Sequence, residues 1–359
     1  MDILEKTRIL GDSGKYDSCG PKACEVKINK GLGGIYHAKA EHKTCRLFKT
    51  LMDNKCSFDC KYCGNANSCT KKQTSYEPKE LASLFNNLNK KLDVQGLFLS
   101  SGINKDPNKV TEKMIESVKI LRFNYKFKGY VHFKVLPGTS YDLVKQASEI
   151  STRMSINIEA PNKSVLSELS SCKDYKIDIL RRQAWINKLH KNQTTQFILN
   201  ELATDKEILK MVDWEYDKFN LKRIYYSSFR PVKGTELEKN KATPLTRQNH
   251  LYNVDFLLRG YNYKIKDFDL ILENGMLPKQ DPKLALAKAT FDSRVDINET
   301  CFEELIRVPG IGPKTAKNIL NYKNKITKYE QLHNLGTSIK RAKPFIVVDG
   351  KKQMSLSEF

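Results

Sequence analysis

The sequence predicts an α/β fold, a partial (β/α)6 barrel on a mainly parallel sheet, followed by a small all-α domain. Two observations carry this prediction. From about residue 50, short apolar runs alternate with helical patterns, as in consecutive βαβ units. After Pro231 the apolar runs cease, and helical patterns separated by glycine-containing turns continue to about residue 348.

The predicted strands are the apolar runs at residues 96–102, 130–138, 153–161, 195–200 and 222–232. Helical patterns such as residues 110–125 and 139–150 lie between them. This spacing predicts about six strand–helix units, and ligands in such sheets bind at the carboxyl ends of the strands. Residues 1–50 contain three cysteines and six glycines and are predicted to form an irregular cap with a short helix near its end.

The second part of the chain is predicted to be helical, beginning with residues 243–261 and 281–289. Gly275, Pro278 and Pro282 make residues 270–282 the best candidate for a boundary between domains. We therefore expect a cap at residues 1–50, an α/β domain at 51–270 and a helical domain at 281–350.

The charge of the chain indicates an anionic partner. Sixty-two Lys and Arg residues against 41 Asp and Glu give a net charge of +21, which favours a polyanion such as nucleic acid. There is no apolar run of about 18 residues, so no membrane span is expected. The polar N-terminus does not resemble a signal peptide. We expect a soluble, cytoplasmic monomer.

Seven of the nine cysteines lie within residues 19–69, which in a reducing compartment indicates metal ligation. Cys56, Cys60 and Cys63 form a C-x3-C-x2-C pattern. Three thiolates on one loop can bind three irons of a [4Fe–4S] cubane and leave the fourth iron open. The open iron can bind the amino and carboxylate groups of S-adenosylmethionine (SAM), whose reductive cleavage by an external electron donor yields a 5′-deoxyadenosyl radical. A zinc knuckle, the alternative, usually has four ligands in two pairs.

The triad and the strand–helix series resemble the radical SAM superfamily. The resemblance is closer to a subfamily described as DNA modification or repair radical SAM proteins, and it extends over essentially the whole chain. It rests on residues 14–19 (GKYDSC), 33–37 (GGIYH), 96–102 (GLFLSSG), 129–138 (GYVHFKVLPG), 154–159 (MSINIE), 221–229 (LKRIYYSSF), 250–261 (HLYNVDFLLRGY), 281–287 (DPKLALA) and 308–319 (VPGIGPKTAKNI). The resemblance implies a [4Fe–4S] cluster, SAM and a nucleic-acid substrate, without specifying a reaction.

The resemblance also suggests residues that bind SAM. Ser100, Ser101 and Gly102 occupy the place of a Gly-Gly-Glu segment at the end of the second strand, without its acid. Asn157 and Glu159 lie on the fourth predicted strand, where alternation puts both on one face. An ordinary polar pair inside the barrel is the alternative. Tyr62 is expected to contact the adenine.

Two further groups of residues are candidates for chemistry. Cys19, Cys24, Cys45 and Cys69 provide the four thiols that a second Fe–S cluster or a zinc ion would need, although their irregular spacing also fits incidental cysteines. Tyr225 and Tyr226 end the last predicted strand. Either tyrosine could stack on a flipped base or relay an electron, and packing is the alternative.

Residues 302–323 resemble a helix-hairpin-helix DNA-binding motif. Glycines permit the sharp turn, and exposed amides at a helix N-terminus can hold a phosphate. The expected DNA contacts are Gly310, Ile311, Gly312, Lys314 and Thr315, and a second, degenerate hairpin at residues 329–346 would add Lys340 and Arg341. Such contacts position a duplex without reading its bases. A simple packing hairpin is the alternative.

Together these features predict an enzyme that repairs or modifies a DNA nucleotide by radical chemistry. RNA, for example tRNA, is the alternative substrate. A DNA-binding protein that uses its cluster for sensing or structure is a second alternative. Some base-excision glycosylases also combine a helix-hairpin-helix with an Fe–S cluster, but their catalytic Asp follows the hairpin and their cysteines lie downstream of it. A glycosylase is disfavoured here, because residues 313–348 contain no Asp and the cysteine triad lies far upstream of the hairpin.

Overall fold

The structure, a computed structural model, describes residues 1–15, 24–25, 33–40 and 43–348. Its central feature is a sheet in which the strands lie side by side in chain order. Strands β3 to β8 run parallel, and β1 and β2 add an antiparallel edge at β3. The strands are β1 (Cys24–Glu25), β2 (Ile35–Ala40), β3 (Lys43–Leu51), β4 (Gly96–Ser100), β5 (Tyr130–Lys134), β6 (Arg153–Ser155), β7 (Gln193–Leu199) and β8 (Arg223–Ser228).

At least one helix connects each parallel strand to the next, beginning with α2 between β3 and β4. They are α1 (Ile3–Ser13), α2 (Pro78–Leu92), α3 (Pro107–Lys119), α4 (Tyr141–Ile150), α5 (Lys163–Leu169), α6 (Arg181–Leu189) and α7 (Asp205–Phe219). Their starts follow from local chemistry. For example, Pro107 occupies the first turn of α3, and the Asp106 carboxylate accepts a hydrogen bond from the amide of Asn108 at 2.8 Å. π-helical turns continue α3 at Ile120–Asn124 and precede α6 at Tyr175–Leu180.

The main core lies between the parallel sheet and these helices. All five residues of β4 are buried, as expected for a central strand covered on both faces. Leu97 and Leu99 of β4 join Phe85 of α2, Met114 of α3 and Val144 of α4 in one apolar cluster. The core thus holds the parallel strands in place and leaves their carboxyl ends to carry polar side chains.

The chain divides into two compact units, residues 1–203 with 210–248, and residues 204–209 with 249 onward. The second unit has its own apolar core, which includes Leu305, Ile306, Ile319 and Leu332. Its elements after α8 (Leu245–Gly260) are α9 (Ile265–Phe268), α10 (Pro282–Thr290), β9 (Val295–Asp296), α11 (Phe302–Arg307), α12 (Pro313–Leu320), α13 (Tyr329–Asn334), α14 (Ile339–Ala342) and β10 (Ile346–Val347).

The predicted α/β class and the six parallel strands of the (β/α)6 prediction are confirmed. The prediction for residues 1–50 was wrong in one respect. The helix of this segment, α1, lies at its start, and the end of the segment forms β2 and most of β3. Alternating polar and apolar residues in β2 and β3 explain the error, because neither strand has a continuous apolar run.

Two other differences concern the second unit. Strands β9 and β10 form a short parallel pair within the otherwise helical region. The proposed boundary at residues 270–282 falls inside the second unit, whose longer segment begins at Asn249. In the part of the chain that the structure describes, no helix combines the length and the apolar character needed to cross a bilayer.

Candidate functional site

A cavity of about 590 Å³ lies where the parallel strands end, inside the first unit. The carboxyl ends of β3, β4, β5 and β8 contribute Leu51, Ser100, Lys134 and Ser228 to its lining. This is the edge at which α/β sheets bind ligands. The cavity is therefore the candidate active site.

The three cysteines of the predicted triad all line this cavity. They lie on the loop between β3 and α2, and backbone amides approach two of the sulfurs. Ile103 N lies 3.4 Å from Cys56 Sγ, and Asn65 N lies 3.4 Å from Cys63 Sγ. Burial raises the pKa of Cys56, and burial together with the neighbouring Cys60 raises the pKa of Cys63 to about 12. The free thiols of Cys56 and Cys63 therefore stay protonated at neutral pH, and binding a metal would displace their protons.

The residues of the loop fit a [4Fe–4S] cluster better than a single metal ion. Among the described residues, no three His, Cys, Asp or Glu side chains converge closely enough to bind one ion. A cubane needs a wider arrangement, because each thiolate binds a different iron. Three thiols facing one cavity, with amides directed at two sulfurs, meet that requirement, and the remaining lining leaves room for a ligand on the open iron.

Ser100, Ser101 and Gly102 also line the cavity. Gly102 N donates to Asp53 O at 2.7 Å, and a Cβ on Gly102 would lie 2.5 Å from the carbonyl oxygen of Lys55. Ser101 Oγ accepts from Asp53 N at 3.1 Å. These contacts hold the start of the cysteine loop against the end of β4. The segment thus supports the loop, whatever contact it makes with a ligand.

Asn157 and Glu159 line the cavity as well, but they follow β6, which ends at Ser155. Glu159 has a left-handed backbone (φ 64°) and pairs with Phe197 of β7 through an isolated bridge. Its side chain is buried, and Glu159 Oε2 has no hydrogen-bond partner among the described residues. A buried carboxylate oxygen without a partner beside the cysteines is consistent with a ligand that donates a hydrogen bond to it.

Tyr62 lies between the second and third cysteines of the triad and lines the cavity. Its hydroxyl accepts a hydrogen bond from Lys173 Nζ at 3.2 Å. Burial and the nearby Glu159 carboxylate raise the pKa of Tyr62 well above its usual value, so the phenol stays protonated. Lys173 itself was not predicted from the sequence, because a lone lysine between two helical patterns gives no signal.

The other predicted candidates separate into those inside and those outside the cavity. Tyr226 lines the cavity, whereas its neighbour Tyr225 does not and instead lies 3.5 Å from a guanidinium nitrogen of Arg153. This placement argues against a direct role for Tyr225. The phenol ring of Tyr226 stacks on Phe197 with 6.1 Å between ring centroids.

The four additional cysteines do not form a described site. Cys69 is buried beside the triad, where its thiol donates to the carbonyl of Gly234 at 3.2 Å. Cys45 lies early in β3 and does not line the cavity. Cys19 lies outside the described residues, and for Cys24 the structure describes the backbone alone. A second cluster or a zinc site stays a prediction.

The helical unit contains the predicted hairpin, with α11 and α12 joined by residues 308–312. Gly310 has φ 89°, and a Cβ there would lie 2.6 Å from the carbonyl oxygen of Ser338. Ser338 N donates to Gly310 O at 2.9 Å, and the Lys283 ammonium donates to Ile311 O at 2.6 Å. These bonds fix the turn from both sides.

The degenerate hairpin, α13 and α14, packs on the first one. Thr315 Oγ1 donates to Gly336 O at 3.2 Å. Lys314 and Lys340 are exposed, and Arg341, also exposed, forms an ion pair with Asp281 at 3.1 Å. Lys314 and Lys340 are therefore better placed than Arg341 to bind a phosphate, because Arg341 already pairs with a carboxylate.

Comparisons with known proteins find similarity to each of the two units. Residues 291–341 match the family described as the helix-hairpin-helix motif. No curated protein sequence matches the chain. Methylornithine synthase (PylB) is 11% identical over 59% of this chain and 62% of its own, with a TM-score of 0.51.

Two more solved structures are similar over a comparable part of the chain. HydG, a maturase of the [FeFe]-hydrogenase, is 14% identical over 59% of this chain and 49% of its own, with a TM-score of 0.49. Coproporphyrinogen III oxidase (HemN) from Escherichia coli, a radical SAM enzyme, is 15% identical over 59% of this chain and 52% of its own, with a TM-score of 0.42. The chain thus spans about half to three fifths of the length of these structures, and at such identities the likeness concerns the fold.

The predicted fold class is confirmed by the sheet and by the likeness to methylornithine synthase. The first unit is built on a mainly parallel sheet similar in fold to methylornithine synthase, and a helical region with a helix-hairpin-helix motif follows it in the chain.

Proposed function

We propose that this protein is a radical SAM enzyme that acts on DNA, repairing or modifying a nucleotide. The observation that carries the proposal is the cavity at the strand ends, where the three cysteines meet Tyr62, Glu159 and a cationic lining. When bound by the triad, a [4Fe–4S] cluster with SAM supplies a 5′-deoxyadenosyl radical.

The chain's own residues have distinct parts in this proposal. Cys56, Cys60 and Cys63 would hold the cluster, with the amides of Ile103 and Asn65 directed at two sulfurs. Glu159, with an unpartnered buried oxygen, would accept a hydrogen bond from bound SAM, and Asn157 would orient it. Ser101 and Gly102 would keep the cysteine loop against β4.

Charge supports an anionic substrate. Of the charged side chains that line the cavity in the described part of the chain, one is a carboxylate, Glu159, and five are cationic. The cations are Lys15, Lys49, Lys134, Lys173 and Arg230. A cleft lined by one sign of charge concentrates ligands of the opposite sign. A nucleotide extruded from a duplex carries that charge on its phosphates.

The helix-hairpin-helix region supports nucleic acid as the partner. The Gly310 turn and the N-terminus of α12 with Lys314 offer backbone amides and a cation to phosphate oxygens. Such contacts hold a duplex irrespective of sequence, so selection of the target nucleotide would fall to the cavity.

The test is SAM cleavage by the full chain, reconstituted with iron and sulfide under anaerobic conditions and reduced with dithionite. We expect release of 5′-deoxyadenosine that increases when duplex DNA containing damaged or modified bases is added. Cys60→Ala should lose both the cluster absorbance and the cleavage. The matched control Cys301→Ala, an exposed cysteine outside the cavity, should keep both.

Two results would contradict the proposal. If SAM left the spectrum of the reduced cluster unchanged and no nucleic acid elicited cleavage, a binding protein with a sensing or structural cluster would be the better description. If the Cys60→Ala variant retained four irons per chain, the triad would not be the ligand set.

A further inference from the structure

A short segment, Ser170 to Lys173, lies against the cysteine loop and is fixed there by Asp59. The Asp59 carboxylate accepts four hydrogen bonds from this segment. The donors are Ser170 Oγ at 2.6 Å, Ser171 N at 2.9 Å, Ser171 Oγ at 2.5 Å and Cys172 N at 3.3 Å. Asp59 immediately precedes the ligand Cys60, so the loop and the segment are tied together at the triad. We call residues 170–173 the strap.

The strap is also fixed at both ends. Helix α5 ends just before it, and Leu169 O accepts a hydrogen bond from Lys61 N at 2.9 Å. Beyond the strap, Tyr175 is buried and donates from its hydroxyl to Ala160 O at 3.1 Å. The strap therefore has little freedom, and its last residue has a defined position.

That last residue, Lys173, extends into the cavity. Its side chain is 7% exposed, and Nζ lies 3.2 Å from Tyr62 Oη and 3.9 Å from Glu159 Oε1. The Cys60 thiol is close enough to interact with the Lys173 charge, and Cys60 Sγ also lies 3.8 Å from Ser170 Oγ of the strap. A buried ammonium is strongly disfavoured without partners, and here the Glu159 carboxylate and the Tyr62 hydroxyl lie beside it.

We propose that Lys173 sets the reduction potential of the cluster, and that Asp59 is the positioning residue that places Lys173 through the strap. This inference rests on the proposed function, since it requires a cluster on the triad. Reduction adds one negative charge to the cluster. A cation and hydrogen-bond donor at a ligand sulfur stabilises that charge and raises the potential.

The experiment is a redox titration of the reconstituted full-length protein without SAM or nucleic acid, followed by electron paramagnetic resonance of the reduced cluster. Lys173→Met should shift the midpoint potential to a more negative value, and Lys173→Gln should do the same if Met impairs folding. Lys173→Arg, which keeps the charge, should shift it less. Iron content measured for each variant ensures that only loaded protein is compared.

Lys61→Met is the matched control. Lys61 lies on the same loop, between Cys60 and Cys63, but does not line the cavity. Its removal should change the potential less than Lys173→Met does, because the Lys61 side chain lies outside the cavity and solvent partly screens its charge.

Asp59→Asn distinguishes a positioning role of Asp59 from a direct effect of its charge, because the two predict changes of opposite sign in the midpoint potential. Loss of a negative charge next to the cluster would by itself raise the potential. If Asp59 acts by holding Lys173 in place, Asp59→Asn should lower the potential. The potential of the double variant Asp59→Asn/Lys173→Met should then be no lower than that of Lys173→Met alone.

The inference would be overturned if Lys173→Met and Lys173→Gln loaded four irons with the wild-type potential, or if Asp59→Asn raised the potential. These failures differ from failure of the proposed function, which would appear as wild-type protein that binds no cluster or a cluster that does not respond to SAM.

Discussion

Glu215 on α7 is a buried carboxylate away from the candidate site, with no exposed surface. Gln183 Nε2 donates to Glu215 Oε2 at 3.2 Å, and within the described residues Oε1 has no partner. Burial raises the pKa of Glu215 from 4.5 to about 8. The folded protein therefore keeps a proton on Glu215 at neutral pH, whereas the unfolded chain releases it.

This difference predicts how stability depends on pH. The contribution of protonated Glu215 is fully present below about pH 4.5 and is lost as the pH rises through about 8. Glu215→Gln keeps a neutral side chain at every pH. Its free energy of unfolding relative to wild type should rise by up to about 1.4 kcal/mol per pH unit between these values.

Thermal or urea unfolding of both proteins at pH 5, 6.5 and 8 measures the effect. The control is Glu112→Gln, the same chemical change on the exposed surface of α3, for which the difference from wild type should be nearly flat. A flat profile for Glu215→Gln as well would mean that Glu215 is ionised in the folded protein.

At the same scale, the sequence identified the residues that are close together in the chain. That the cysteine triad and Tyr62 share one cavity was predictable, because these four residues lie on one short loop. Asp59 and Lys173 were not predictable, because they are 114 residues apart and nothing in a single sequence pairs them. Lys173 became a candidate when the fold brought the strap to the loop.

At the scale of elements, the continuous apolar runs of β4 to β8 were predictable, since these strands are covered by helices. Strands β2 and β3 were missed, because this antiparallel pair alternates polar and apolar residues. The hairpin at residues 308–312 was predictable from Gly310 and Gly312. The structure adds the contact with Ser338, which shows why position 310 needs a glycine.

Two substitutions test separately how the shape and the charge of the hairpin contribute to DNA binding. Gly310→Ala puts a methyl group 2.6 Å from the carbonyl oxygen of Ser338 at φ 89°. It should destabilise the helical unit by about 1–3 kcal/mol and weaken DNA binding. Lys314→Ala removes an exposed cation and should leave the unfolding temperature nearly unchanged.

Binding to a 20-base-pair duplex, measured by fluorescence anisotropy at several salt concentrations, distinguishes the two variants. If Lys314 contacts a phosphate, its loss lowers the slope of log K against log salt by about 1. Lys79→Ala, an exposed lysine on α2, is the matched charge control and should keep the wild-type slope. Wild-type affinity in both hairpin variants would indicate a hairpin that serves packing alone.

For the whole molecule, composition predicted an anionic partner, and the order of strands and helices predicted the fold class. The extent of the second unit was not predictable, because Gly275, Pro278 and Pro282 form a strong sequence break inside one compact unit. Local backbone preference marks turns, but contacts between distant segments decide where a unit begins. Residues 204–209, which belong with the second unit, illustrate this.

The net charge of +21 bears on the choice between DNA and RNA. At low salt this charge attracts any polyanion, so binding there does not discriminate. Sequence-specific RNA recognition usually stacks unpaired bases on aromatic side chains, and the hairpin, residues 308–317, contains none. Its amides and cations suit a regular phosphate backbone instead.

We therefore expect the full chain to prefer duplex DNA over structured RNA once salt has suppressed the general attraction. The measurement is competition at about 150 mM salt, in which labelled duplex DNA is displaced by unlabelled DNA or by a folded RNA of equal length. Gly310→Ala should reduce the preference, because it distorts the hairpin and leaves the net charge unchanged. If RNA competed as well as DNA with the wild-type protein, the radical chemistry would be directed at RNA, and the cationic cavity would be reinterpreted as a site for an RNA nucleotide.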